Sequence, residues 1–475
     1  MRLAAALPFL SLALLFTLTF TVASPALAQR DRLPVTDVEQ LGKLEQDARA
    51  RWEARRGAAF RDLTARATGP MAGILNDPGT YLQGVDPSGR PILYTTQNLD
   101  AARTSGVEQL WPGGASGFDL TGAGPAGELA LWDGGGVRTT HVEFEGRVTI
   151  LDSPGGLSSH ATHVAATMGA AGIDPSAHGM APDALIHSYD FFDDAIEMPA
   201  AAATGLRLSN HSYGFITGWY YSSSETAWYW YGYPEISETE DPGFGMYDGA
   251  AAEYDAIALA APYYLIVKSA GNDRNDFGPG PGGEHFAWID GGWQLSTTTR
   301  DFDGGDDGYD SISWRGTAKN IVTVGAVQDI TAGWSVASDV VPTSFTGWGP
   351  TDDGRIKPDL VANGAGLYSA VATGDTDYAS YSGTSMSSPT ATGTAQLIRR
   401  HYEDVRGATP LASTMKGILL HTAHEAGPAP GPDYQNGWGL LDGAGAAAFV
   451  ADTSAPIVED TLDPGETLSW TFDHD

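Results

Sequence analysis

Apolar and polar positions fall into short blocks along most of the chain. Beyond residue 120, compact apolar runs recur at 128–132, 184–189, 205–210, 263–268 and 321–325. Runs this short predict strands rather than helices. Between them lie alanine-rich segments, 161–171 and 250–261, long enough to form helices. Short apolar strands alternating with helical patterns predict an α/β fold, a mostly parallel sheet with helices on both faces. In such sheets, ligands gather at the carboxyl ends of the strands.

The first hundred residues follow another pattern. Arg2 precedes an apolar run at 3–22, and Ala26-Leu27-Ala28 follows it. That is the layout of a secretory signal peptide, residues 1–28. Leu41, Leu44, Ala48, Trp52, Ala59 and Leu63 then recur at helical spacing, and Thr36 with Glu39 forms a capping-box pattern, so the spacing predicts a helix over 36–67. Residues 80–85 and 91–96 flank Asp86-Pro87-Ser88-Gly89 and predict a hairpin. Residues 29–100 therefore read as a small α+β unit. At the other end, residues 453–475 include the run 464–472, which reads as a turn and the first strand of a further β-domain, cut short.

Charge separates the same regions. Up to Arg103 the balance is +2; beyond it the balance is −35, giving −33 for all 475 residues. Such an acidic surface repels phosphates and anionic headgroups, which excludes nucleic acids and membranes as natural partners. There are no cysteines. For an exported chain this means that stability rests on the core and on any bound ions, not on cross-links. Residues 301–310 are rich in aspartate, which fits either a solvated acidic loop or a calcium site, and the metal ligands stay unassigned.

Four places carry candidate chemistry. Ser382-Gly383-Thr384-Ser385-Met386-Ser387-Ser388-Pro389 precedes a small-residue helix, so Ser385 lies near a helix start. There the unpaired N–H groups favour negative charge, although the same residues would also serve as a plain cap. Asp133 closes the first predicted strand before three glycines. His160 opens an apolar helical run, and Asn272 follows another predicted strand. A serine needs a base, the base needs an orienting acid, and an acyl-transfer intermediate needs a donor for its oxyanion.

In the order Asp133, His160, Asn272, Ser385, these motifs resemble the subtilisin-like serine proteases, over roughly residues 111–450. The resemblance rests on Leu131-Trp132-Asp133-Gly134-Gly135, His160-Ala161-Thr162-His163-Val164-Ala165, Ser269-Ala270-Gly271-Asn272 and Gly383-Thr384-Ser385-Met386-Ser387. It departs from the family pattern at Gly134, Ala161, Ala166 and Asn363, none of which is an expected catalytic group.

The resemblance implies a doubly wound sheet over residues 101–452, with 29–100 as an inhibitory propeptide cleaved between residues 95 and 107. It implies a secreted endopeptidase, extracellular or held at the cell surface or in a periplasm, acting on protein or peptide substrates and needing no cofactor. Asp133, His160 and Ser385 would form the triad, and Asn272 with the Ser385 N–H would form the oxyanion hole. Ser212, Tyr213 and Gly214 would bind the substrate backbone by β-augmentation. His163 reads as structural, and Met386 as an oxidation-prone neighbour of the nucleophile. The aromatic insertion at 218–233 reads either as a wall of the cleft favouring apolar or aromatic substrate side chains, or as a packed satellite cluster. The His160 base points to a neutral-to-alkaline optimum, unlike the related serine-carboxyl proteases. Two alternatives stand beside this reading: an inactive peptide-binding member of the same fold, and a serine esterase, which prefers Gly at the position held by Ser387.

Overall fold

A computed structural model describes residues 33–55, 81–85, 91–95, 101–305, 307–462, 465–467 and 469. The expected signal segment, residues 56–67 of the expected first helix, the expected turn at 86–89 and most of the expected strand at 464–472 lie outside these residues. Val35–Ile457 forms one compact unit; a second comprises Met1–Pro34 and Val458–Asp475, and its described residues hold no helix or strand.

The larger unit begins with helix α1 (Val38–Arg55) and strands β1 (Tyr81–Val85) and β2 (Pro91–Thr95), which form the expected antiparallel hairpin. The α1 cap is Asp37 rather than Thr36: its carboxylate accepts the Gln40 N–H at 2.8 Å. Then come β3 (Leu129–Asp133), β4 (Val148–Ile150), α2 (Ser159–Gly169), β5 (Ile186–Asp190) and α3 (Asp194–Ala203). Strands β6 (Leu208–His211), β7 (Gly214–Phe215), β8 (Trp219–Ser222) and β9 (Ala227–Trp230) lead to α4 (Gly249–Ala260). The chain continues through β10 (Leu265–Ser269), β11 (His285–Ile289), β12 (Gly292–Ser296), β13 (Val322–Val327) and β14 (Leu360–Asn363). After the hairpin β15 (Leu367–Ala370) and β16 (Tyr378–Tyr381) come α5 (Thr384–Arg406), α6 (Ala412–His421) and α7 (Gly443–Ala451).

The main sheet has seven strands in the order β14-β13-β10-β6-β3-β5-β4, all parallel. Its strands read as continuous apolar runs because both faces are covered. Leu129 and Leu131 of β3 face one core with Leu265 and Val267 of β10, under α2, α5 and α7. Ala130, Trp132 and Ile266 face the other core, under α3, α4 and Leu41 of α1. From β3 the sheet order runs one way to β5 and β4 and the other way to β6, β10 and beyond. That reversal puts a crevice at the carboxyl end of β3, where Asp133 stands.

The aromatic insertion forms the hairpin β8–β9, which extends into a four-stranded sheet with β11 and β12. Tyr229 and Tyr231 pack with Phe286 and Trp293, so much of the insertion is a satellite cluster. Asp303, in the acidic loop, is buried and accepts the Trp219 N–H at 2.8 Å. Among the described residues no three His, Asp or Glu side chains converge as a metal would require.

Beneath β7 lies a buried ionic group. Asp194, at the start of α3, accepts from Arg315 and from the Tyr213 hydroxyl at 2.7 Å. Both charged partners are nearly inaccessible to solvent. Removing one charge from a buried pair strands the other in a medium that solvates it poorly. Asp194→Ala is therefore expected to lower unfolding free energy by about 3–5 kcal/mol, measured by denaturant titration. A loss below about 1 kcal/mol would mean that water reaches Arg315.

Candidate active site

The carboxyl end of β3 places Asp133 in a fully buried position. Its Oδ1 accepts the Gly134 N–H at 2.7 Å and the His160 Nδ1 at 2.6 Å. A carboxylate in this position only accepts, so Nδ1 carries the proton and Nε2 presents a lone pair. His160 is the second residue of α2, whose start is fixed by the Ser158 side chain accepting the Ala161 N–H at 3.1 Å. The His160 Nε2 is buried and makes no hydrogen bond.

Ser385 is the second residue of α5, behind an extended Gly383. Its N–H belongs to the first turn, where helical carbonyl partners are absent. Its hydroxyl donates to the Ser212 carbonyl at 3.1 Å, and the Ser212 hydroxyl donates to the Ser385 carbonyl at 2.7 Å. The expected Ser385–His160 hydrogen bond is therefore not made, and the hydroxyl must turn to make it. Catalytic hydrogen bonds are often loose until substrate arrives. Asn272 follows β10, and its Oδ1 accepts from the Thr384 N–H at 2.8 Å and the Thr384 hydroxyl at 3.0 Å. Both bonds fix the amide so that Nδ2 is its outward donor.

Residues 140–439, well over half the chain, match the family model described as the subtilase family. The chain belongs to the subtilase family. The matched stretch contains His160, Asn272 and Ser385; Asp133 stands just before it. Over 94 residues it is 36% identical to the C5a peptidase of Streptococcus pyogenes, 20% of this chain and 8% of that one. Over 175 residues it is 28% identical to the serine protease/ABC transporter B family protein tagA of Dictyostelium discoideum, 30% of this chain and 10% of that one. The chain thus spans about a tenth of the length of these relatives. Among solved structures it is similar in fold to the Clostridium perfringens CspB protease: TM-score 0.54, 17% identity, covering 74% of this chain and 99% of that one.

In this subtilase the sequence left one organiser unseen. Asn210, buried at the end of β6, donates to the Ser212 hydroxyl at 2.8 Å and accepts from Ser388 at 2.7 Å and Thr392 at 3.1 Å. It ties the sheet to the first three turns of α5. Its signal was present in Asn210-His211-Ser212, but only the hydroxyl pattern Ser385, Ser388, Thr392 on α5 reveals the partners. Ser387 closes on the Thr384 carbonyl at 3.0 Å.

Ser212, Tyr213 and Gly214, expected to bind the substrate backbone, lie between the end of β6 and the start of β7. Tyr213 is buried, with its hydroxyl at Asp194, so its side chain faces the core and only its backbone is near the cleft. Lys268 donates to the Tyr213 carbonyl from below. Gly214 lies in β7, and β2 of the N-terminal hairpin pairs with it antiparallel, Thr95 opposite Gly214 and Tyr94 opposite Phe215. Met386 is fully buried in the main core, which removes the exposure its expected oxidation requires. His163 is also fully buried, and desolvation pushes its imidazole down to about 3, so it stays neutral.

A cavity of about 340 Å³ opens beside Asn272, walled by Ile216, Trp219, Tyr220, Tyr221, Trp228 and Phe345 and floored by Asp273 and Asp276. The aromatic insertion is therefore a wall as well as a cluster, and its floor is acidic. Burial pushes Asp273 up to about 7, with Asp241 adding repulsion; burial pushes Asp276 up to about 8, with Asp273 adding repulsion. Asp303 is also raised, by burial and then by Asp276. Glu197, beside Trp132, is raised to about 8 by burial.

These groups keep their protons when folded and lose them when unfolded. Between about pH 4 and the folded values of about 7–8, the unfolded state binds fewer protons, so their contribution to stability falls as pH rises. Buried histidines such as His163, held neutral, act in the opposite sense below about pH 6.5, so the carboxyl contribution is read by difference: the melting temperature of the wild type relative to Asp276→Asn is expected to fall from pH 5 to pH 8.5. A wild-type-minus-variant difference that rises over this interval would contradict the assignment.

Proposed function

We propose that this subtilase is an exported serine endopeptidase. The reading is carried by one observation: a buried Asp133–His160 pair at 2.6 Å whose Nε2 makes no hydrogen bond and so can take up a proton. His160 takes the Ser385 proton as the hydroxyl attacks the peptide carbonyl. Asp133 holds the tautomer and stabilises the imidazolium. Asn272 Nδ2 and the Ser385 N–H bind the developing oxyanion. His160 then protonates the leaving amine, and water resolves the acyl-enzyme by the same route in reverse. No step requires a cofactor.

Serine-directed fluorophosphonate is expected to label the protein, and Ser385→Ala to abolish labelling and proteolysis together. Asn272→Ala is expected to lower kcat by about 10²–10³, the magnitude known for such a donor in subtilisin itself. If Ser387→Ala kills activity while Ser385→Ala does not, the nucleophile is misassigned. The Ser385–Ser212 hydrogen bond favours one alternative, a peptide-binding member that does not turn over. An unlabelled protein that still binds peptides would establish it. Hydrolysis of lipid esters without proteolysis would favour an esterase instead.

Residues 29–100 act in this reading as a propeptide. In support, α1 packs on α3 and α4, Arg51 pairs with Glu253, and β2 covers the β7 edge where a substrate backbone would add. Secreted active material is expected to begin between residues 95 and 107, read by N-terminal sequencing. A fully active protein retaining residues 29–95 would refute the masking role.

A further inference from the structure

We propose that Ser313 and Trp314 close the pocket for the side chain on the acyl side of the scissile bond, so that this subtilase cleaves after small residues. The inference rests on the proteolytic reading above. A carbonyl bound by the Asn272 amide and the Ser385 N–H, in a chain running along β7, must send its own side chain down between β7 and the segment before Asn272. The two walls there are Gly214 and Gly271, which contribute no side chains; the Asp273 carboxylate comes within 3.2 Å of where a Cβ on Gly271 would be, so it and the floor together set the room.

That floor is high. The Ser313 hydroxyl lies midway between the walls, 3.8 Å from where a Cβ on Gly214 would be and 3.7 Å from one on Gly271. Trp314 follows, its ring 4.9 Å from Phe215 and tilted by 46°. The indole crowds Gly243 so closely that no side chain fits there. The slot bounded by Tyr213, Gly214, Phe215, Lys268, Ser313, Trp314 and Arg315 has no room wide enough to admit a water molecule. Two neighbours resist its widening: Lys268 is bonded to the Tyr213 carbonyl and Arg315 to Asp194. Trp314 also sits at φ +27°, a left-handed backbone that side-chain-bearing residues adopt only under constraint. The packing that holds the indole in the slot supplies that constraint.

The residue types fit a specificity device. A serine at the mouth and an indole below leave room for a hydrogen or a methyl group but not for a ring or a long chain. The spacious aromatic cavity beside Asn272 is a separate space, bounded by Phe345 and the 216–228 segment, and it shares no lining residue with the slot.

The test uses the full chain and peptide anilides that differ only in the residue before the scissile bond. The wild type is expected to favour Ala over Phe by about 100-fold in kcat/KM. Trp314→Gly, which removes the indole and accepts the positive φ without strain, is expected to narrow that ratio by about tenfold or more, mainly by raising the Phe rate. Ser313→Gly is expected to narrow it less, and it serves if Trp314→Gly fails to fold. A wild type that prefers Phe, or folded variants of both kinds that keep the wild-type ratio, would overturn the proposal. Fluorophosphonate labelling separates the two levels: a labelled enzyme with the wrong preference sinks only the slot, whereas an unlabelled, inert protein sinks the proteolytic reading and the slot with it.

Discussion

The two hydrogen bonds exchanged between Ser212 and Ser385 set the distance between the sheet and the start of α5. Each residue gives its hydroxyl to the other's carbonyl, at 2.7 and 3.1 Å. Asn210 stands behind them and binds Ser212, Ser388 and Thr392 together. A polar hub in a dry interior is tolerable only when every group is satisfied, and then it permits one arrangement of the two elements. The Ser385 N–H, the Asn272 amide and the β7 edge all take their positions from that contact. One of the two bonds also holds the Ser385 hydroxyl, the group proposed as the nucleophile.

The second constraint lies under β7. Two cations, Lys268 and Arg315, are buried with one well-placed carboxylate, Asp194. Burial lowers Lys268 to about 7, because a desolvated ammonium is disfavoured, with Arg315 adding repulsion. Such groups contribute little net stability compared with apolar packing. What they supply is geometry: Lys268 grips the Tyr213 carbonyl just before β7, and Arg315, bonded to Asp194, fixes the loop that carries Trp314. The floor of the slot is thereby tied to the same framework as its wall.

Acidity has an uneven role. Most of the excess negative charge is solvated, but several carboxylates are crowded into partly dry places near Asn272 and β5. Their protonation in the folded state softens a repulsion that the net charge of −33 would otherwise impose. The aromatic wall and the acidic floor of the cavity thus belong to one surface.

The alternation of apolar strands with alanine-rich helices was legible along the chain, because both periods are local properties of the residues. Five predicted strands appear in the structure, each ending a residue or two later than its apolar run. They end on polar residues such as Asp133, His211 and Ser269, which the backbone ladder holds regardless of side chain. The motifs around Asp133, His160, Asn272 and Ser385 were equally legible, since their types and order are written linearly. Contacts across the fold were not. Nothing local says that Ser385 bonds to Ser212, that Tyr213 turns inward to Asp194, or that Met386 is sealed from solvent. Nor does the linear pattern say that the Ser313 hydroxyl comes to lie between Gly214 and Gly271. Those outcomes depend on which distant segments share a volume, and only close packing of the whole chain decides that.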